Sequence, residues 1–242
     1  MLRIDKYLAD CGIGTRSEVK KYIKAKQITV NGEVVAKPEQ KMDENVDVVC
    51  FKGQPITYEK YVYYLLHKPA GCVTAKQDNV HKTVMEYFPE EIRAKDIAPV
   101  GRLDLDTEGL LLFTNDGPLT HHLLSPTHHI PKTYYAILDK EVPECAIELF
   151  QAGVDIGDDK LTLPAELVIL PVAVNVAGEN VYSAELTIHE GRFHQVKRMF
   201  EAVGCMVTYL KRLSMGSLIL GELQKGQYRK LTDVEVNLLK KN

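Results

Sequence analysis

No apolar run in this sequence is long enough to cross a bilayer. Stretches such as Leu110–Phe113 and Leu218–Leu220 fall far short of the roughly 18 residues needed. The N-terminal MLRIDKYLAD carries a charge at every second or third position, so a secretory signal is not expected. Cysteine is sparse and scattered (Cys11, Cys50, Cys72, Cys145 and Cys205), without a CxxC pair and odd in number. That pattern speaks for reduced thiols in the cytoplasm and against a disulfide framework or a zinc knuckle. The chain also lacks a phosphate-binding glycine loop, low-complexity segments and internal repeats. These absences leave a soluble, cytoplasmic globular protein as the expectation.

The 242 residues are 45% hydrophobic and 26% charged, enough for one large domain or for a small one beside a medium one. The net charge of −3 conceals an asymmetry. Residues 1–41 hold nine Lys/Arg against five Asp/Glu, a balance of +4, which leaves 21 against 28, or −7, in the remainder. A basic leader on an acidic body suggests a separate module with a polyanionic partner.

The leader reads as two short helices and a hairpin. Ile4, Tyr7, Leu8 and Cys11 share one helical face, which Gly12 can close. Thr15 and Glu18 form a capping box for a second helix with Val19, Tyr22 and Ile23 inside. Arg16, Lys20 and Lys24 recur every fourth residue along its outer side. Asn31-Gly32 between two β-branched runs is a two-residue hairpin signal. In this order the pieces resemble the S4 RNA-binding domain, and the resemblance assigns phosphate contacts to Arg3, Lys6, Arg16, Lys20 and Lys24.

A boundary near Phe51–Pro55 divides the chain into residues 1–56 and 57–242. The body reads as α+β, with strands expected at 61–66, 109–114, 133–138 and 183–189 and helices at 118–124, 144–151 and 194–203. Within it, GRLDLDTEGLLLFTND (101–116) alternates Arg102, Asp104, Asp106 and Glu108 with Leu103, Leu105 and Thr107 before turning fully apolar. The apolar part reads as a strand buried on both faces, entered from a polar loop. Carboxylates at such a mouth are either turn formers or a reactive centre.

Four segments of the body decide between those readings: His67-Lys68-Pro69-Ala70-Gly71, Gly101–Leu110, Pro131-Lys132-Thr133-Tyr134 and Glu190–Met199. In this order and spacing they resemble the pseudouridine synthases, in particular the subgroup that carries an S4 domain and modifies ribosomal RNA. The resemblance covers nearly the whole chain and implies a small S4 domain followed by a catalytic domain with a mixed, mainly antiparallel sheet flanked by helices. It also implies an isomerase that needs no cofactor. Its partner would be ribosomal RNA or a ribosome-assembly intermediate, with no membrane involved, and it would act as a monomer. The segment HQVKRM (194–199) is similar to that of the small-subunit rRNA enzymes more than to the RQxRRM usual in the large-subunit ones.

The reaction breaks the bond from ribose C1′ to N1 of uracil and rejoins C1′ to C5. It requires one carboxylate at the sugar, as nucleophile on C1′ or as base on the ribose. The resemblance gives that part to Asp104, the cation beside it to Lys197, and the aromatic against the uracil to Tyr134. Many relatives carry arginine where this chain has Lys197, which exchanges a bidentate fork for a point charge. Helical phasing puts Lys197 on the flank of the stripe Val196, Met199, Phe200 and Val203, and Arg198 on the far side, toward solvent or phosphate. Arg102, His194, Gln195 and Arg198 complete the expected RNA contacts, Arg102 by filling the gap left by a flipped uridine. Asp106 and Glu108 are expected to shape the loop or face solvent.

Other readings are weaker. His121-His122 and His128-His129 lack the spacing and carboxylate partners of a metal site. A single DTEG copy does not make an aspartic protease, and a glycosidase carboxylate pair gives a basic RNA-binding leader no purpose. A non-catalytic RNA-binding or ribosome-assembly protein is the alternative of a different class.

Overall fold

The computed structural model describes residues 1–44, 46–56 and 59–241. They form two compact units, Met1–Val62 with Pro89–Ile97, and Tyr63–Phe88 with Ala98–Asn242. In the first unit, α1 (Ile4–Asp10) is followed by α2 (Arg16–Lys24). The Thr15 hydroxyl accepts from the Glu18 amide while the Glu18 carboxylate accepts from the Thr15 amide, so both ends of the capping box are made. β1 (Ile28–Val30) turns through Asn31 and Gly32, both at positive φ, into β2 (Glu33–Val34). Both central residues at positive φ match the twist that a two-residue hairpin needs. β3 (Val49–Phe51) and β4 (Gln54–Ile56) complete a four-stranded sheet in the order β2-β1-β3-β4. The inner helical faces meet this sheet around Ile4, Tyr7, Leu8, Val19, Ile23 and Ile28, which leaves Arg16, Lys20 and Lys24 exposed on the outside.

The second unit is built on one long sheet. Its strands are β5 (Tyr63–Lys68), β6 (Glu108–Thr114), β7 (Lys132–Leu138), β8 (Glu166–Ile169), β9 (Asn180–Ile188), β10 (Val207–Met215) and β11 (Tyr228–Lys230). They lie in the order β8-β9-β7-β10-β6-β5-β11, with short strands added at the margins. Every neighbour in that order is antiparallel except β10 and β6, which run parallel. Helices α3 (Gly117–Leu124), α4 (Cys145–Ala152), α5 (Gln195–Ala202) and α6 (Asp233–Leu239) follow the strands. The class is therefore α+β. Leu110–Phe113 are fully buried, as a strand covered on both faces requires. Asp116 caps α3 by accepting from the Leu119 amide at 3.1 Å, and Tyr63 Oη donates to its other oxygen at 2.7 Å.

At the parallel junction Gly109 faces Arg212. Gly109 has φ +108°, and a Cβ there would run into the Arg212 backbone carbonyl. Glycine is thus required twice over, by backbone conformation and by the close approach of two strands. Gly109→Ala is expected to lower the urea midpoint, the conformational strain alone costing roughly 1–3 kcal/mol, and an unchanged midpoint would show that the junction can spread.

Candidate active site

A cavity of about 720 Å³ opens on the second unit, lined by the 100–107 loop, the sheet residues Lys132, Tyr134, Leu210 and Arg212, and the start of α5. The loop that enters β6 is held from beneath by Lys68, whose side chain is completely buried at the end of β5. Its Nζ donates to the carbonyls of Thr107 (2.8 Å), Asp104 (2.9 Å), Pro69 (3.1 Å) and Leu105 (3.4 Å). Burial lowers the Lys68 pKa, against the pull of nearby Cys72 and the loop carboxylates.

With its backbone fixed in this way, Asp104 presents a half-buried carboxylate to the cavity. Lys197 Nζ lies 3.8 Å from Oδ2 and His194 Nε2 3.5 Å from Oδ1. Lys197 nevertheless engages Asp106 more tightly, donating to both of its oxygens at 2.7 Å. That hydrogen bond is the largest cause of the lowered Asp106 pKa. The flank position of Lys197 on α5 is as expected, but the ammonium bridges two carboxylates rather than serving Asp104 alone. Asp106 therefore anchors the cation, a part the sequence did not suggest. Asp106 is itself exposed, as expected, whereas Glu108 does not face solvent. It is buried, accepts from Tyr209 Oη at 2.6 Å and pairs with Lys225 at 2.8 Å.

Strand alternation separates the two neighbouring tyrosines. Tyr134 is buried on the cavity wall, while Tyr135 is half-buried and meets Tyr209 edge-on, with ring centroids 6.4 Å apart. Arg102 is exposed on the rim of the cavity. His194 precedes α5 with φ +49°, in the left-handed region, and its ring stacks on exposed Phe193 at 3.8 Å.

Two of the expected RNA contacts have other partners. Gln195 is buried: its Oε1 accepts from the Arg192 amide at 2.9 Å and its Nε2 donates to Glu190 at 3.1 Å, closing the start of α5. Arg198 does lie on the far side of α5, but that side packs on the chain rather than on solvent. Its guanidinium donates to the Ile156 and Phe193 carbonyls and to Asp158. Arg192 pins the same loop through the Lys160 and Leu161 carbonyls, both at 2.7 Å. This network orients the turn that delivers His194 and Lys197 to Asp104. In the first unit, Arg3 pairs with buried Asp5 at 2.8 Å, its own side chain half exposed. Among the described residues no three His, Cys, Asp or Glu side chains are grouped to hold a metal ion.

The model of the RNA pseudouridylate synthase family matches residues 62–202, and that of the S4 domain residues 2–48. An uncharacterized RNA pseudouridine synthase of Bacillus subtilis (strain 168) is 42% identical, the match covering 98% of each chain. Ribosomal small subunit pseudouridine synthase A of Escherichia coli (strain K12) is 39% identical over 97% of this chain and 98% of the relative. A crystal structure of a pseudouridylate synthase, 36% identical, covers 99% of this chain and all of its own with a TM-score of 0.66.

Lys68→Met keeps most of the buried stem but leaves its four carbonyl contacts without their donor. At roughly 1–3 kcal/mol for a buried acceptor left unpaired, the variant is expected to unfold at lower urea than the wild type. An unaltered midpoint would show that another group or water supports the loop.

Proposed function

The chain belongs to the RNA pseudouridylate synthase family, and we propose that it isomerises one uridine of small-subunit ribosomal RNA to pseudouridine. The best support is the half-buried carboxylate of Asp104, in a cavity walled by Tyr134 and within ion-pair reach of Lys197. The choice of small-subunit RNA is supported by the near full-length likeness to the Escherichia coli enzyme.

In the mechanism we propose, the target uridine leaves its stack and its base packs against Tyr134, whose ring offers a face to a flipped base. Asp104 acts at the sugar, as nucleophile on C1′ or as base on the ribose, and either route releases uracil with the bonding pair. The base then turns within the cavity and C1′ joins C5, which displaces the Asp104 carboxylate from C1′ or is accompanied by return of the ribose proton from Asp104; the hydrogen on C5 is lost and N1 gains one. Lys197 supplies positive potential beside Asp104 and is kept there by Asp106. Arg102 and His194 sit at the rim, where the RNA strand would pass.

In the division of labour we propose, residues 1–56 grip RNA and residues 57–242 carry the chemistry. Arg16, Lys20 and Lys24 are exposed along α2, suited to phosphate contact. Replacing all three with alanine is expected to weaken RNA binding and flatten its salt dependence, by a slope of roughly 0.7–0.9 for each phosphate no longer neutralised. Turnover on saturating RNA should change less. Wild-type affinity with a wild-type salt slope would give the leader another purpose.

Because forming the new bond expels the hydrogen on C5, tritium release from 5-tritiated uridine in rRNA reads the reaction directly. Asp104→Asn, nearly isosteric, is expected to fold and bind RNA yet release no tritium. Asp106→Asn should keep measurable release at a rate lowered by about tenfold, as expected when a positioning group is weakened. Substantial release by Asp104→Asn would remove Asp104 from the reaction, and none from the wild type on any rRNA would favour a binding protein.

A further inference from the structure

The sheet floor of the cavity holds two cations that the steps above leave unused. Lys132 and Arg212 line it beside Tyr134, Leu210 and Met215. Tyr134 and Arg212 are register partners across β7 and β10, and Lys132 lies two residues back along β7, on the same face as Tyr134. Arg212 is 2% exposed, and its Nε donates to the Leu110 carbonyl at 2.8 Å. Its Nη2 is buried with no hydrogen-bond partner. A buried guanidinium N–H without an acceptor is costly, and it is tolerated where a ligand supplies what the protein does not. Lys132 Nζ donates to the Ile130 carbonyl at 2.9 Å, which leaves further protons to offer.

The reaction creates a partner of matching charge. Breaking C1′–N1 sends the bonding pair into the ring, so the detached uracil carries negative charge over N1, O2 and O4 until C5 bonds to C1′. Resting on the pseudouridine synthase reading, we propose that Lys132 and Arg212 bind this uracil anion and thereby stabilise the leaving group. They would act as preorganised donors placed where charge develops, in a site shielded from water. The pair that leaves with N1 returns to C1′ from C5, C5 gives up its proton and N1 takes one up, so no co-reactant is required.

Lys132 also makes the proposal readable by pH. Burial, and to a lesser degree Arg212, pushes its pKa down to about 8, with Glu190 opposing. The other charged groups around the cavity are Asp104 and Arg102 on the loop, His189 after β9, Arg192 on the turn, and His194 and Lys197 at α5. Lys68 beneath the loop is also lowered by burial, so the control must change Lys132 alone. A pKa below the ordinary lysine value means that the ammonium is lost as pH rises through about 8. A rate that depends on the ammonium falls over the same interval.

The experiment is single-turnover tritium release from 5-tritiated uridine in rRNA, with RNA affinity measured separately, for the wild type, Lys132→Met and Lys132→Arg. Lys132→Met is expected to slow release by roughly 10²–10³-fold while RNA affinity changes little, as when one oxyanion donor is removed. The wild-type rate should fall above pH 8 or so, and Lys132→Arg, which stays charged there, should hold its rate. Near-wild-type release by Lys132→Met would overturn the proposal, as would an alkaline fall that persists in Lys132→Arg. A rate that instead rises as pH increases through about 8 would also overturn it, because it would make Lys132 a base. Should Lys132→Met fail to fold, the pH profile of Lys132→Arg decides alone. Wild-type release that is indifferent to Lys132 sinks only this inference, whereas no release from any rRNA sinks the function on which it rests.

Discussion

One buried ammonium holds the reactive loop in place. The segment from Gly101 to Thr107 belongs to no strand or helix, and the carbonyls of Asp104, Leu105 and Thr107 all converge on Lys68 Nζ. A lysine held completely inside is expensive to desolvate, and its charge is tolerated because carbonyl dipoles surround it. The same bonds fix the Asp104 backbone, so that the carboxylate needs only its own rotamer to face the cavity.

Lys68 is also the first member of a row that crosses the sheet. It pairs with Gly109, Gly109 with Arg212, Arg212 with Tyr134, and Tyr134 with Leu186. Loop anchor, close strand approach, floor cation and wall tyrosine therefore stand at one level on four adjacent strands. Gly109 is the thin point of that row. Without a side chain it lets β6 and β10 meet in parallel, which brings the loop before β6 over the floor supplied by β10. Positions on strands are held more rigidly than positions on loops, which suits a site that must keep a detached base from escaping.

Much of this was legible in the sequence, and what was missed has one physical cause. The capping box at Thr15, the Asn31-Gly32 hairpin and the buried strand after Asp104 are local signals, and each forms where the local chemistry put it. The phase of α5 was also right, with Lys197 on the flank and Arg198 beyond it. Phase gives a direction and not an occupant: the far side of α5 meets the 156–158 turn, some forty residues earlier in the chain, and Arg198 binds that turn. Gln195 likewise reads as a polar residue free to reach RNA until Glu190 and the Arg192 amide fold back onto it. Lys132 and Arg212 look like ordinary strand cations. The available signal was period two, since Lys132 alternates with Tyr134, and Arg212 with Leu210, on an inward face.

The ion pairs constrain how the body can meet RNA. Arg192 and Arg198 share Asp158, Lys197 is held by Asp106, and Lys225 pairs with Glu108. Each of these cations thus has a carboxylate beside it, and residues 42–242 as a whole are acidic by seven charges. Such pairs orient side chains but add little net attraction for a polyanion, because a phosphate must first displace a carboxylate that is already in place. Strong electrostatic affinity is more readily supplied by the basic leader, whose helix lysines are exposed. In the proposed reaction the cavity itself need not attract phosphate, because Tyr134 and the floor cations meet a base that enters as a neutral ring and becomes charged only when its bond to the sugar breaks.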